Sequence, residues 1–328
     1  MEKNEKVTRR KFLRQTAAGV ALVSSGVLAN CSKPKQEESE SSAMPTRTLG
    51  NTSLQVSLLT FGGGSQFLKN KDGEWEPILE RAIELGINLY DTASTYQWQA
   101  SMSSEERFGL LLPKYRKKIY ISTKFESRKP SEALKEFERS LKRMKTDYVD
   151  ILFIHSIEPS DTVADLEKGV YKELVRLKEQ GVARYIGFSC MDSAERSREL
   201  LEKLAFDVVL LAMNPTKYGN FAQIALPAAV KKNVGVIAMK VMRGLVGKEA
   251  TAEELLHYAL SQESVASALI GHYRMEVLEE NARLVKKLAD MPTLSFVQRK
   301  KLEAKLAHLA GPHALCWARP DYVDGAWA

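Results

Sequence analysis

Four ionisable side chains of different chemical types follow three successive apolar segments: Asp91, Tyr96, Lys124 and His155. They are separated by 5, 28 and 31 residues. A phenol can donate a proton to an oxygen atom that gains charge, provided that its pKa falls from about 10 toward neutrality. A nearby ammonium would lower that pKa, a carboxylate would hold the ammonium in place, and an imidazole could hydrogen-bond the same oxygen atom. We therefore expect a general acid built on Tyr96.

Each of these residues also has an ordinary structural interpretation. Asp91 could cap a helix, Tyr96 could pack as an aromatic, Lys124 could be solvated, and His155 could be a satisfied core histidine. The spacing after consecutive apolar segments favours the catalytic interpretation of the set.

The elements that would position these residues alternate regularly from Arg47 onward. Each predicted strand precedes an amphipathic helical segment, and this alternation favours a parallel sheet. Eight such units predict a (β/α)8 barrel of the TIM type. The alternative is an open doubly wound sheet, but the glycine run 61–65 lacks the G-x-G-x-x-G fingerprint. The predicted strands are 56–60, 87–91, 118–123, 148–154, 183–188, 207–212, 235–239 and 265–270.

Two further elements flank the predicted barrel. Gly50-Asn51 indicates a short N-terminal hairpin, and a helix over 295–309 begins a C-terminal extension. In a barrel of this type, the carboxyl ends of the strands form one rim that carries the chemistry. Asp91 ends the second strand, Lys124 follows the third, and His155 follows the fourth, so all of them are expected at that rim.

The residues Asp-Thr-Ala-x-x-Tyr after a strand, then Thr-Lys, then His resemble the catalytic tetrad of the aldo-keto reductase family. The resemblance covers residues 47 to 290. It implies reduction of an aldehyde or ketone to an alcohol, with hydride from NADPH and a proton from Tyr96. NAD is the alternative cofactor.

The resemblance also implies a cofactor site. Ser189 would contact the nicotinamide carboxamide, although Cys190 replaces the usual Asn. Leu210 and Met213 occupy positions where the family carries Gln and an aromatic residue. Arg274 would lie near the adenosine 2′-phosphate and Asn281 near the adenine. The expected cofactor residues are Gly63, Ser189, Asn214, Lys240, Arg243, Gly244, Leu245, Arg274, Glu280 and Asn281. Phe67, Trp98 and Trp317 would line the substrate mouth or simply pack at the surface.

The N-terminal segment is predicted to be an export signal. Residues 8–14 (TRRKFLR) resemble the twin-arginine signal, and the apolar run 17–28 is shorter than the ~20 residues that span a bilayer. Cys31 resembles a lipid-anchor cysteine, and a polar segment follows it. We expect a signal and tether over 1–45, the barrel over 46–290 and the extension over 291–328. The protein would be periplasmic, either free or anchored through Cys31.

Composition excludes several classes of protein. The chain is 44% hydrophobic and 27% charged, which is typical of a globular protein. The net charge is +7, and residues 1–30 hold six basic and two acidic residues, so no basic nucleic-acid surface is indicated. The three cysteines form no C-x-x-C pair, which argues against a metal or iron–sulfur site. Unpaired Cys190 and Cys316 are favoured over a disulfide between them.

The expected partners are a small carbonyl substrate and the twin-arginine export machinery. Two other functions stay open at this level. One is a regulatory or redox-sensing barrel that binds the cofactor with little turnover. The other is an epimerase that retains its cofactor.

Overall fold

The computed structural model describes residues 43–324. The predicted twin-arginine signal and Cys31 therefore lie outside the described residues. No helix within 43–324 combines the length and apolar character needed to cross a membrane. In the same range Cys190 and Cys316 are unpaired thiols.

Ten strands form a hairpin and a closed barrel. The hairpin pairs β1 with β2 in antiparallel register. The other eight strands pair in parallel in chain order, and β10 closes onto β3. This confirms the predicted (β/α)8 barrel. The strands are β1 (Thr46–Thr48), β2 (Gln55–Ser57), β3 (Leu59–Gly62), β4 (Leu89–Asp91), β5 (Tyr120–Phe125), β6 (Val149–Ile154), β7 (Ala183–Cys190), β8 (Val208–Ala212), β9 (Gly235–Met239) and β10 (Val265–Gly271).

The barrel strands are short apolar runs because both of their faces are covered. All six residues of β6 are buried, as are all five of β8 and of β9. Side chains on one face fill the barrel interior and those on the other pack against the surrounding helices. The predicted strand 56–60 is divided at Leu58, so its first half belongs to the hairpin and its second half opens the barrel.

The helices surround the barrel, and five of the twelve described α-helices begin at a Ser or Thr side-chain cap. Ser103, Thr251 and Ser295 each form a reciprocal capping box with the residue three positions later. The described α-helices are α1 (Ser65–Leu68), α2 (Trp75–Glu84), α3 (Ser104–Leu111), α4 (Pro130–Met144), α5 (Val163–Lys168), α6 (Val170–Glu179), α7 (Ala194–Lys203), α8 (Phe221–Ile224), α9 (Leu226–Lys231), α10 (Ala252–Leu260), α11 (Met275–Ala289) and α12 (Phe296–Leu306).

Two segments that the sequence predicts as single helices are each divided in two. The segment 165–180 breaks at Gly169, whose backbone angles are not helical. The segment 221–232 breaks between α8 and α9, where Pro227 occupies the first turn of the second helix. Proline cannot donate an internal helical hydrogen bond, so it starts a helix more readily than it continues one.

The hairpin covers the end of the barrel where the strands begin. Arg47 donates to the carbonyl groups of Leu260 and Val265 at 2.9 and 2.8 Å, and Asn51 N donates to Asn233 O at 2.8 Å. The opposite end, where the strands finish, therefore stays accessible for chemistry.

The C-terminal extension runs along the barrel and then over its open end. The hydroxyl of Tyr258 in α10 donates to Glu303 of α12 at 2.9 Å. Leu315 and Trp317 beyond it are buried. The chain then reaches Tyr322 and Asp324, which contact residues at the carboxyl ends of the barrel strands.

Candidate active site

The four predicted catalytic residues come together at the carboxyl ends of three neighbouring strands. Asp91 is the last residue of β4, Lys124 lies in β5, and His155 immediately follows β6. Tyr96 lies in the loop after β4. All four side chains are buried. The parallel register of these strands is what brings residues so distant in sequence to one rim.

Lys124 and Asp91 form a buried ion pair at 2.6 Å, with side chains only 1% and 3% exposed. The Lys124 ammonium also donates to Thr92 O at 2.7 Å, and Ser122 donates to the other oxygen of Asp91 at 2.7 Å. Both charges are thus compensated by opposite charge and by hydrogen bonds, as burial of ions requires.

The Tyr96 hydroxyl has two polar neighbours. It lies 3.4 Å from Nε2 of His155 and donates to Oδ2 of Asp324 at 2.8 Å. Burial raises the pKa of Tyr96 well above its usual value, and the charges of Asp324 and Asp91 raise it further. The sequence predicts that Lys124 lowers this pKa, but the pKa is raised instead. The ammonium lies 4.9 Å from the centre of the Tyr96 ring, with Asp91 already paired to it.

His155 is held between two carboxylates. Its Nδ1 contacts Oε1 of Glu126, and its Nε2 lies 3.1 Å from Oδ2 of Asp324. Burial by itself would lower the pKa of His155, but the charge of Glu126 and the contacts of both carboxylates outweigh it and raise that pKa. The imidazole is thereby favoured as a cation that donates from Nε2 toward the site.

Glu126 was not among the predicted site residues, although the sequence carried a signal for it. It stands two positions after Lys124, and side chains at that interval share one face of a strand. Thr95 donates to the same Glu126 oxygen at 3.1 Å. Glu126 therefore belongs to the site through its contact with His155.

The second missed residue is Asp324, at the far end of the C-terminal extension. Its Oδ1 lies 2.5 Å from the Lys240 ammonium and accepts from the Tyr322 hydroxyl at 2.7 Å. Burial would raise the pKa of Asp324, but Lys240 and His155 hold it well below its usual value. Asp324 is thus an ionised carboxylate in the site. A contact between residues this far apart along the chain leaves no local pattern.

A cavity of about 510 Å³ extends from this rim along the ends of β9, β10 and β3, within the usual size range of ligand sites. Tyr96, Asp91 and Asp324 lie at one end. Leu210 and Met239 line its wall, whereas Met213 does not. Six of the predicted cofactor residues also line it: Lys240, Arg243, Gly244, Arg274, Glu280 and Asn281.

The residues at the far end of the cavity fit a dinucleotide. The side-chain amide nitrogen of Asn281 is buried and has no hydrogen-bond partner among the described residues, although it lines the cavity. A buried amide of this kind needs an acceptor. Arg274 immediately precedes α11, so a guanidinium and a helix N-terminus lie together. Both features favour a phosphate.

The other four predicted cofactor residues do not line the cavity. Gly63 lies behind it, where a side-chain carbon would meet Ser104 Oγ at 2.2 Å and Asp91 O at 2.9 Å. Ser189 accepts a hydrogen bond from Ser156 N at 2.8 Å. Asn214 donates to Lys240 O at 3.2 Å, which fixes the backbone at the end of β9. Leu245 is fully buried.

The aromatic residues predicted at the substrate mouth also lie outside the lining of the cavity. Phe67 packs in the core with Phe61 at a distance of 5.1 Å between ring centres. Trp317 belongs to the C-terminal extension and is buried. Trp98 is 41% exposed. None of the three lines the cavity.

A (β/α)8 barrel with Asp, Tyr, Lys and His at its rim beside a dinucleotide-sized cavity defines a class of NAD(P)H-dependent oxidoreductases. The comparison of the chain with family models agrees, since residues 58–254 match the aldo/keto reductase family. The chain belongs to this family and is an oxidoreductase.

Related proteins cover most of the chain. It is 30% identical over 286 residues to the uncharacterized oxidoreductase YqkF of Bacillus subtilis, which covers 73% of this chain and 90% of that protein. It is 28% identical over 302 residues to L-galactose dehydrogenase of Arabidopsis thaliana, with coverages of 77% and 92%. The holo structure of aldo-keto reductase AKR11C1 from Bacillus halodurans has the same fold, with a TM-score of 0.64, 22% identity and coverages of 80% and 96%.

Proposed function

We propose that the protein reduces an aldehyde or ketone to an alcohol with NADPH, with Tyr96 as the proton donor. One observation carries this proposal. The Tyr96 hydroxyl and His155 Nε2 converge on a single oxygen atom, Oδ2 of Asp324, at 2.8 and 3.1 Å. A carbonyl oxygen placed at that point would receive two hydrogen bonds as its negative charge develops.

Each group of residues has a separate role in the proposed reaction. The cofactor supplies the hydride, and no side chain can replace it in that role. Tyr96 donates the proton, and cationic His155 stabilises the charge on the carbonyl oxygen. Asp91 holds the Lys124 ammonium in place, 4.9 Å from the centre of the Tyr96 ring. Arg274, Asn281, Arg243 and Gly244 would hold the cofactor along the cavity.

The relatives support a carbonyl compound rich in oxygen as the substrate. Two curated relatives are named for L-galactose and for L-glyceraldehyde 3-phosphate. The first test is a screen in which the purified protein oxidises NADPH with a set of sugars, small aldehydes and ketones. Absence of NADPH oxidation with every compound would contradict the proposal.

A second function is favoured by the position of Asp324, which occupies the point where a carbonyl oxygen would bind. A carboxylate that blocks the carbonyl position is expected in a barrel that binds the cofactor but turns over little substrate. Purified protein that retains bound cofactor through gel filtration and reduces no carbonyl compound would support this function instead.

We also propose that the protein is exported through the twin-arginine pathway and functions in the periplasm, because residues 8–14 carry the signal pattern. Replacing Arg9 and Arg10 together by Lys should retain the protein in the cytoplasm on cell fractionation. Replacing Cys31 by Ser should release any membrane-bound fraction, and an unchanged distribution would contradict a lipid anchor.

A further inference from the structure

We propose that the substrate is a 2-oxo acid, whose carboxylate binds Lys240 while its carbonyl oxygen binds Tyr96 and His155. This inference rests on the proposed reductase function and names its substrate class. The carboxylate of Asp324 occupies both positions in the structure, and it shows what the site accepts.

The two oxygen atoms of Asp324 have different partners. Oδ2 lies 2.8 Å from the Tyr96 hydroxyl and 3.1 Å from His155 Nε2. Oδ1 lies 2.5 Å from the Lys240 ammonium. The site therefore binds two adjacent oxygen atoms, one at the acid–base pair and one at a cation. A 2-oxo acid presents such a pair, with one oxygen on the carbonyl carbon and the other on the adjacent carboxylate.

Burial makes the charge on the second oxygen important. The side chain of Lys240 is only 9% exposed and that of Asp324 is 13% exposed. A neutral aldehyde could displace Asp324 from Tyr96, but it would leave the Lys240 ammonium without its carboxylate. An uncompensated buried charge is costly. A ligand that brings its own carboxylate avoids that cost, and the site would discriminate between the two by this difference.

Two other ionisable groups at the rim are already matched, while Asp192 interacts with Lys240 through its charge. Lys124 is paired with Asp91, and His155 contacts Glu126 on its Nδ1 side. Lys240 relies on the tail, since both of its hydrogen bonds given by the structure go to Tyr322 and Asp324. Lys240 also has a positive φ of 55°, a backbone conformation that residues other than glycine seldom adopt. Such local strain is often found at ligand sites.

Lys240 is one of the residues that the sequence predicts to bind the cofactor. The structure places its ammonium on the same carboxylate that contacts Tyr96 and His155, at the carbonyl end of the cavity. Arg243 donates to Ser65 Oγ at 3.0 Å and to the Tyr322 hydroxyl at 3.2 Å, so it shares Tyr322 with Lys240 and differs from it by the contact with Ser65. A substrate role for Lys240 and a cofactor role for Arg243 agree with these positions.

The reaction balances with the proposed cofactor. Hydride from NADPH adds to the carbonyl carbon of the 2-oxo acid, and the proton of Tyr96 passes to the carbonyl oxygen. The products are a 2-hydroxy acid and NADP⁺, and Tyr96 regains its proton from water. The carboxylate is unchanged throughout. Asp324 must leave before the substrate binds, so the tail acts as an internal competitor for the site.

Binding is tested separately from turnover. Oxamate resembles a 2-oxo acid but is not reduced, and its methyl ester lacks the charge and is larger by one methyl group. We expect full-length protein loaded with NADP⁺ to bind oxamate about tenfold or more tightly than the ester in calorimetry, as a charged hydrogen bond allows. Lys240→Gln should remove that difference. Asp324→Asn should tighten oxamate binding because the competitor loses its charge.

Asp321→Asn is the matched control, because Asp321 is an exposed carboxylate on the same tail. It should bind oxamate like the unmodified protein. Melting curves followed by circular dichroism identify any variant that fails to fold, and the Asp324 variant remains informative if Lys240→Gln is unstable. In turnover, pyruvate should be preferred over methyl pyruvate, and Lys240→Gln should reduce this ratio about tenfold or more.

The outcomes separate the inference from the proposed function. Equal binding of oxamate and its ester, with reduction of neutral aldehydes, would overturn the 2-oxo acid and retain the reductase. Oxamate binding that follows the expected pattern without reduction of any carbonyl compound would retain the anion site and overturn the reductase. Asp324→Asn could accelerate the reduction of pyruvate and of methyl pyruvate equally, while Lys240→Gln leaves the ratio of the two rates unchanged. In that case the tail blocks the site by steric exclusion alone, and the inference fails.

Discussion

The Lys124 ammonium lies 4.9 Å from the centre of the Tyr96 ring, and its hydrogen bonds go to Asp91 and Thr92. Lys124 therefore contacts Tyr96 at its ring, as a cation–π pair. The proton of Tyr96 is directed instead toward the oxygen atom at the site, which belongs to Asp324 in this structure. This arrangement agrees with the proposed role of Tyr96 as proton donor, with Lys124 as its neighbour on the ring side.

Replacing Tyr96 by Phe should remove the proton donor and keep the aromatic ring. We expect kcat to fall by about 10²–10⁴-fold, the usual contribution of a positioned general acid. The dissociation constant for NADPH should not change, because the hydrogen bonds of the lost hydroxyl within residues 43–324 go to His155 and Asp324. Steady-state kinetics and a cofactor titration measure the two effects. A variant with a tenth or more of the original activity would exclude Tyr96 as the donor.

Replacing Asp91 by Asn should break the most deeply buried ion pair of the site. The Lys124 ammonium would keep only neutral partners, so the free energy of unfolding should fall by about 3–5 kcal/mol. Denaturant unfolding followed by fluorescence measures this change. The matched control is Glu253→Gln, which breaks a pair with Lys287 at 2.7 Å whose side chains are 33% and 50% exposed. That control should cost about 1 kcal/mol or less, and an equal loss in both variants would contradict our view of the Asp91 pair.

The barrel and the tetrad could be predicted from the sequence because their signals are local. Each strand is a short, largely apolar run, and each predicted catalytic residue lies at or soon after the carboxyl end of a strand, so chain order and parallel register determine where the side chains meet. The breaks at Gly169 and before Pro227 also have local causes, and they could have been predicted from those residues.

The contacts of Asp324 could not be predicted in the same way. They depend on how the C-terminal extension crosses the barrel, and that path is determined by packing of residues such as Leu315 and Trp317. Ser189 and Asn214 hydrogen-bond to Ser156 and to Lys240 or Thr216, and such contacts could not be predicted from the family pattern. Their role at the cofactor stays a prediction.

Replacing Glu126 by Gln should change the pH dependence of the reaction. His155 has a pKa above its ordinary value of 6.5, and despite opposing burial Glu126 is the largest cause of the increase. A group with a raised pKa stays protonated up to that pKa and loses its proton as the pH rises further. Activity that requires cationic His155 should therefore decline on the alkaline side, and Glu126→Gln should move this decline to lower pH.

The profile of kcat against pH, recorded at saturating substrate so that Asp324 is displaced, measures this shift. Glu158→Gln is the control, because Glu158 is an exposed carboxylate close in sequence to His155. A purely structural role for Glu126 would reduce kcat at every pH without moving the alkaline limb.

Replacing Asn281 by Leu should weaken the binding of NADPH and NADH to the same extent. The buried amide nitrogen of Asn281 has no partner among the described residues and lines the end of the cavity expected to hold the adenine. Loss of one hydrogen bond to that ring should raise both dissociation constants about tenfold, and a fluorescence titration measures them. Unchanged affinities would place the adenine elsewhere.

Replacing Arg274 by Leu should distinguish the two cofactors. Arg274 lies at the N-terminus of α11 and lines the cavity beside Asn281. A guanidinium there can form a charge-assisted bond with the 2′-phosphate, which NADPH carries and NADH lacks. The dissociation constant for NADPH should rise about 10–100-fold while that for NADH stays constant, because the lost interaction involves the phosphate alone. Arg283→Leu, an exposed change on the same helix, should alter neither constant. If Arg274→Leu weakens both cofactors equally, the guanidinium binds a group common to both, and the preference for NADPH must arise elsewhere in the cavity.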